Sequence, residues 1–204
     1  MQKIFKASKG FQLKMRLYTA AEAKLQMSEI QSRIVRGQVF IHPTDTIYGL
    51  GCSAKLAKAV EKIREIKERP DTPFSVMAPS VDWIRENCVV TKEAEKYIKE
   101  LPGPVTLILK LKNESAIAKE VAPGINSVGV RIPDHWFHKV IENLGVPIVT
   151  TSVNKTGKVF MNSFDNLDDD IEHRIDFGID EGEKKGRPSK IIHLEGEEVK
   201  IRER

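Results

Sequence analysis

Apolar residues recur along this chain with two periods, and the switch from one to the other marks its elements. Val39-Phe40-Ile41 is a short apolar run ending at His42-Pro43; proline cannot donate to a ladder, so the run reads as a strand leading into the loop Pro43-Thr44-Asp45-Thr46. After Gly49-Leu50-Gly51, residues Leu56, Val60, Ile63 and Ile66 follow at spacings of four, three and three, which is one stripe of a helix. Pro70 disfavours helical backbone in the residue before it, so this helix stops near Arg69.

Period two returns at Thr106–Leu111, where Leu107, Leu109 and Leu111 alternate with Thr106, Ile108 and Lys110. It returns again at Ser127–Ile132, where Val128, Val130 and Ile132 alternate with Ser127, Gly129 and Arg131. Both predict strands, and the second puts Ser127 and Arg131 on one face. His135–Leu144 predicts a helix with Phe137, Val140, Ile141 and Leu144 inward and Gly145 closing it. Val146–Thr151 and Lys190–Leu194 predict two further strands. Interspersed strands and helices imply an α/β domain on a twisted sheet.

With 204 residues, 40% hydrophobic and 30% charged, the chain is expected to form one folded domain spanning 1–204. Its longest apolar runs, such as Val146–Val149, fall far short of the roughly 18 residues that cross a bilayer, so no membrane segment is expected. Cys52 and Cys88 form no CxxC pair and are too few to staple a secreted scaffold, which points to the cytoplasm. Lys3, Lys6, Lys9, Lys14 and Arg16 precede no apolar core, so the beginning reads as a basic arm or first strand rather than a secretory signal.

The net charge of +4 hides an asymmetry. Asp165–Glu183 holds nine acids against one base, Arg174, leaving +12 on the remainder. That remainder presents positive potential to nucleotide, RNA or phosphate. The acidic stretch itself reads as a solvated loop and helix face.

Common nucleotide fingerprints are missing: Gly49-Leu50-Gly51 has no third glycine at the dinucleotide-binding spacing, and no GxxxxGK[ST] occurs. His135 and His138 have HxxH spacing without further ligands, so one exposed helix face explains them and no metal site is predicted. Four segments place hydroxyls or cations in loops or at element ends: Pro43–Gly51, Lys67–Pro70, Ser127 with Arg131, and Ser152-Val153-Asn154. Each alone is explained by turn hydrogen bonds, helix-end complementarity or a surface ion pair.

In this order the segments resemble the YrdC-like family of threonylcarbamoyl-AMP synthases. The resemblance rests on PTDTIYGLGC, KERP, LPGPVTLIL from Leu101, SVGVRIP from Ser127, GVPIVTTSVN from Gly145, GRPSKIIHL from Gly186, and VKIR. It implies a single α/β domain with a twisted, largely open mixed sheet and flanking helices. It also implies condensation of L-threonine, bicarbonate or CO2, and ATP with Mg2+ into threonylcarbamoyl-adenylate and pyrophosphate, in the service of tRNA modification. By position, Lys67 and Arg69 correspond to the catalytic cations, and Thr46, Arg131 and Thr150 to the threonine contacts. Lys67, Arg69, Ser127, Ser152, Asn154 and Arg202 correspond to nucleotide contacts. No nucleophile is called for, and Cys52 reads as a packed thiol.

The chain departs from the family pattern at Met77, where many relatives carry a histidine that touches threonine; a thioether cannot donate that bond. Such features are similar to YciO-like paralogues, so a different amine substrate stays open. So does an RNA-binding module that holds tRNA or double-stranded RNA in the positive cleft without synthase activity. Partner enzymes of tRNA modification would receive the product.

Overall fold

A computed structural model describes residues 15–196 and 198–203. The strands in chain order are β1 (Arg16–Thr19), β2 (Phe40–His42), β3 (Gly49–Ser53), β4 (Ser75–Met77), β5 (Val105–Lys110), β6 (Ser127–Arg131), β7 (Ile148–Ser152), β8 (Phe177–Asp180), β9 (Lys190–His193) and β10 (Lys200–Arg202). The helices are α1 (Ala20–Leu25), α2 (Met27–Val35), α3 (Ala57–Lys67), α4 (Val81–Asn87), α5 (Lys92–Ile98), α6 (His138–Leu144) and α7 (Asp169–Glu172). Among the described residues the strands form one open mixed sheet in the order β1-β8-β2-β3-β7-β4-β6-β5-β9-β10. This is the α/β architecture expected from the sequence.

Each face of the sheet has its own apolar layer. On one, Val60, Ile63 and Ile66 of α3 pack with Leu50, Val76, Leu107, Val130 and Val149. Burying each such side chain stabilises by roughly 1.5–3 kcal/mol. On the other, Ile30 and Ile34 of α2 and Val140 and Ile141 of α6 pack on Phe40, Met77, Ile148, Phe177 and Ile179. That second layer reaches only as far as Ile148 of β7 and Met77 of β4. Beyond it the cleft forms, lined by Thr150 of β7, Ser75 of β4, Gly129 of β6, Ile108 of β5 and His193 of β9. No helix among the described residues is long and apolar enough to cross a membrane.

The structure shifts several sequence-based boundaries. The helix expected to stop near Arg69 ends at Lys67, because Glu68 turns left-handed (φ 51°) and Arg69 N–H donates to Arg64 O at 3.0 Å. The helix expected from His135 begins at His138, and Gly145 (φ 68°) closes it as expected. The strand expected from Val146 begins at Ile148, after Pro147, whose carbonyl instead accepts from Ala54 N–H.

Two expectations fail outright. Asp165–Glu183 is not merely a solvated face: it contains β8, a strand inserted between β1 and β2 with Phe177 and Ile179 fully buried. Nor do His135 and His138 lie on one exposed helix face. His135 Nε2 is 2.8 Å from Glu181 Oε2, and His138 Nε2 is 2.9 Å from the Ala78 carbonyl. The expected basic arm lies outside the described residues except at β1.

Candidate functional site

The cleft encloses about 380 Å³. Its floor is a cross-strand row set by register: Thr150 opposite Ser75, Ser75 opposite Gly129, Gly129 opposite Ile108, and Ile108 opposite His193. Four strand spacings of about 4.8 Å make this row ~19 Å long. Small residues give it depth. A Cβ on Gly129 would stand 2.6 Å from Ser75 Oγ and 3.1 Å from Ile108 Cδ1, so no larger residue fits without displacement.

One wall is the loop after β2. Thr44 Oγ1 donates to Ile47 O at 2.7 Å and accepts from Thr46 N–H at 3.1 Å, which closes the turn. With its proton so committed, it accepts from the Thr46 hydroxyl at 3.0 Å, leaving Thr46 Oγ1 as an acceptor for Arg131 at 3.4 Å. Asp45 Oδ1 binds Arg131 Nη2 at 2.5 Å, and its other oxygen accepts from Asp134 N–H at 3.1 Å. The loop and the end of β6 are thereby locked into one rigid corner.

The facing wall is the turn after α3. Arg64, in α3 beside the apolar stripe, is buried. Its guanidinium donates to five carbonyls, those of Glu120, Arg69, Pro70, Thr72 and Val121. Arg64 and Arg69 both stack on Phe74, at 4.6 and 5.2 Å from the ring centre, and Arg69 Nη2 donates to Pro73 O at 2.7 Å. Arg69 is thus aimed at the cleft by a scaffold that Arg64 holds.

Lys67 is buried behind this wall. Its ammonium donates to Ser152 O at 2.6 Å, Asn154 O at 2.8 Å and Asn154 Oδ1 at 3.1 Å. Ser152 Oγ donates to the same Asn154 Oδ1 at 2.6 Å, and Asn154 Nδ2 to Lys158 O. Lys67 therefore ties the end of α3 to the Ser152–Asn154 turn.

A strap of residues 181–189 crosses from β8 to β9. Gly186 runs so close to Thr46 that a Cβ would strike its carbonyl, and Pro188 and Ser189 reach the cleft. The Tyr48 hydroxyl anchors the strap, donating to Gly182 O at 2.7 Å and accepting from Glu181 N–H at 2.9 Å; burial raises this phenol to about 12. Burial alone would raise the Glu181 carboxyl, but hydrogen bonds from Lys184 and Trp136 outweigh it and the carboxyl lies below its usual range. Beneath the loop, His42 stacks on Phe137 with ring centres 4.9 Å apart. Full burial lowers its pKa to about 3, so the ring is neutral.

Of the residues singled out from sequence, Thr46, Arg69, Ser127, Arg131, Thr150 and Ser152 line this one cleft. Lys67 and Asn154 stand behind Ser152 rather than in the lining, and Arg202 lies on the exposed edge strand β10. Met77 is fully buried in the apolar layer with Phe40, Phe137 and Ile148, not in the lining. Arg64 and His42 were given no role from sequence, and Asp45 and Tyr48 lay in the Pro43–Gly51 segment without one of their own, because each acts through a neighbour. Burial pushes the Cys52 thiol far up, consistent with a packed group. Among the described residues, no group of three or more His, Cys, Asp or Glu side chains is arranged to hold a metal ion.

A family model described as telomere recombination, Sua5/YciO/YrdC, matches residues 32–204. The chain belongs to the Sua5/YciO/YrdC family. A putative threonylcarbamoyl-AMP synthase of Methanocaldococcus jannaschii is 35% identical over 184 residues, covering 87% of this chain and 84% of that protein. The threonylcarbamoyl-AMP synthase of Bacillus subtilis is 32% identical over 161 residues, covering 77% of this chain and 46% of that one. Pyrococcus abyssi Sua5 solved with L-threonine superposes with a TM-score of 0.82 at 28% identity, over 92% of this chain and 56% of that chain. E. coli YciO shares the fold, with a TM-score of 0.81 at 23% identity over 92% of this chain and 94% of that chain. This member of the family spans about half the length of the Bacillus subtilis and Pyrococcus abyssi relatives.

Proposed function

We propose that this chain is a threonylcarbamoyl-AMP synthase. One observation carries the reading: the hydroxyls of Thr46, Thr150, Ser127 and Ser152 and the guanidiniums of Arg69 and Arg131 line a single cleft. Threonine and bicarbonate lose water to give the carbamate. A carbamate oxygen then attacks the α-phosphorus of ATP, the bond to the β-phosphate breaks, and pyrophosphate leaves. Both reactants are anions, so the work falls to positioning and charge neutralisation.

Arg131 offers a planar fork to the threonine carboxylate, pre-aimed by Asp45, while Thr46 and Thr150 border the same end. Arg69 and Ser152 meet the phosphates. Lys67 holds the Ser152–Asn154 turn in place from behind. The Ser127 and Ser152 hydroxyls in the lining would suit the water shell of a Mg2+ carried in on the phosphates, which would neutralise the charge of the leaving pyrophosphate. The product is an activated threonylcarbamoyl group of the kind consumed in tRNA modification.

Purified protein given L-threonine, bicarbonate, Mg2+ and ATP should release pyrophosphate. Lys67→Ala or Arg131→Ala should reduce the rate on the order of 10²–10³-fold. Release that does not depend on threonine, or that survives Arg131→Ala, refutes the reading.

A further inference from the structure

The two ends of the cleft differ in chemistry. Arg69, Arg131 and the hydroxyls gather at the β7 end, whereas Ile108, Ile125, Ile191 and His193 line the β9 end. A nucleotide with its phosphates at the cations extends its base toward the isoleucines, and apolar walls with one oriented polar group are what a base site requires. That group is His193.

His193 Nδ1 lies 2.9 Å from Glu195 Oε1. A carboxylate only accepts, so in the neutral ring Nδ1 carries the proton and Nε2 keeps its lone pair. The His193 side chain is 38% exposed, and Nε2 has no protein partner among the described residues. With the ring neutral, the cleft presents a hydrogen-bond acceptor at its apolar end. The 6-position of adenine carries an amine, a donor; in guanine and hypoxanthine it carries a carbonyl, a second acceptor that would face the lone pair unpaired.

We propose that His193 reads the 6-amino group of the adenine base, with Glu195 as the positioning residue that fixes its tautomer. This rests on the synthase reading for the presence of a nucleotide in the cleft, and it adds the residue that selects which one.

The test is calorimetric titration with ATP, inosine triphosphate and purine riboside triphosphate, without threonine or bicarbonate. The unaltered protein should bind ATP about tenfold more tightly than inosine triphosphate, a difference of about 1.4 kcal/mol, with the unsubstituted purine between them. His193→Phe should bind all three within about twofold of one another. Glu195→Leu should lose most of the discrimination, and Glu195→Gln, whose carbonyl still accepts from Nδ1–H, should keep it. Equal binding of ATP and inosine triphosphate by the unaltered protein overturns the proposal, as does tenfold discrimination that persists in His193→Phe. If no triphosphate binds, the synthase reading falls as well; if all bind alike, only the base assignment falls.

Discussion

Asp45 and Arg131, 86 residues apart in sequence, meet at 2.5 Å in an ion pair almost shut off from solvent. The contact joins the loop after β2 to the end of β6 and leaves the guanidinium facing the cleft. Removing one partner of a buried pair strands the other charge, which costs about 3 kcal/mol. Asp45→Ala should therefore lower the melting temperature by roughly 6–12 °C and weaken threonine binding, read by thermal denaturation and by titration with the amino acid.

Arg64 makes a second testable claim, because its five backbone bonds hold a turn that no regular element supports. Arg64→Met keeps the stem and removes the fork. It should destabilise by about 3 kcal/mol and reduce pyrophosphate release more than tenfold, although Arg64 touches no ligand. Arg64→Lys should not restore either property, since one ammonium cannot span five acceptors. Chemical denaturation and steady-state rates measure the two effects.

His42 predicts a pH dependence of stability. Its folded pKa of about 3 lies below the unfolded value near 6.5, so below pH 6.5 the unfolded chain takes a proton that the folded chain refuses. The stability associated with the neutral ring is complete above pH 6.5 and is lost as pH falls toward 3, at about 1 kcal/mol per pH unit. His42→Phe should flatten urea-derived stability between pH 6.5 and 4. An unchanged slope would show that the ring titrates normally.

Gly129 sets the depth of the floor. Gly129→Ala should cost about 1–3 kcal/mol by overpacking against Ser75 and Ile108 and should weaken nucleotide binding. Adding Ser75→Ala removes the 2.6 Å neighbour and should recover part of both losses, which a double-mutant comparison of melting temperatures and affinities detects.

Elements with a local signature were legible in the sequence: the alternation in β5 and β6 and the apolar stripe of α3 appear where expected. What escaped was decided by distant partners. Gly49-Leu50-Gly51 lacks the composition of a strand, yet it forms β3 because the His42 and Phe40 rings fill the space where side chains would stand. The β8 strand lay hidden among acids whose charges flank it. Six site residues that were named from sequence converge on the cleft. Asp45 and Tyr48 lie in the Pro43–Gly51 segment singled out from sequence, yet like Arg64 they serve other residues, and no local pattern gives that role away.

The strap and β9 lie late in the chain, but β9 lies in parallel beside β5 and carries His193 into the cleft. A nascent polypeptide that has completed every earlier strand still offers only half a receptacle, with Arg69 and Arg131 at one end and no Ile191 or His193 at the other. On the proposed reading, a nucleotide that spans both ends of the cleft is held tightly only once β9 has docked beside β5.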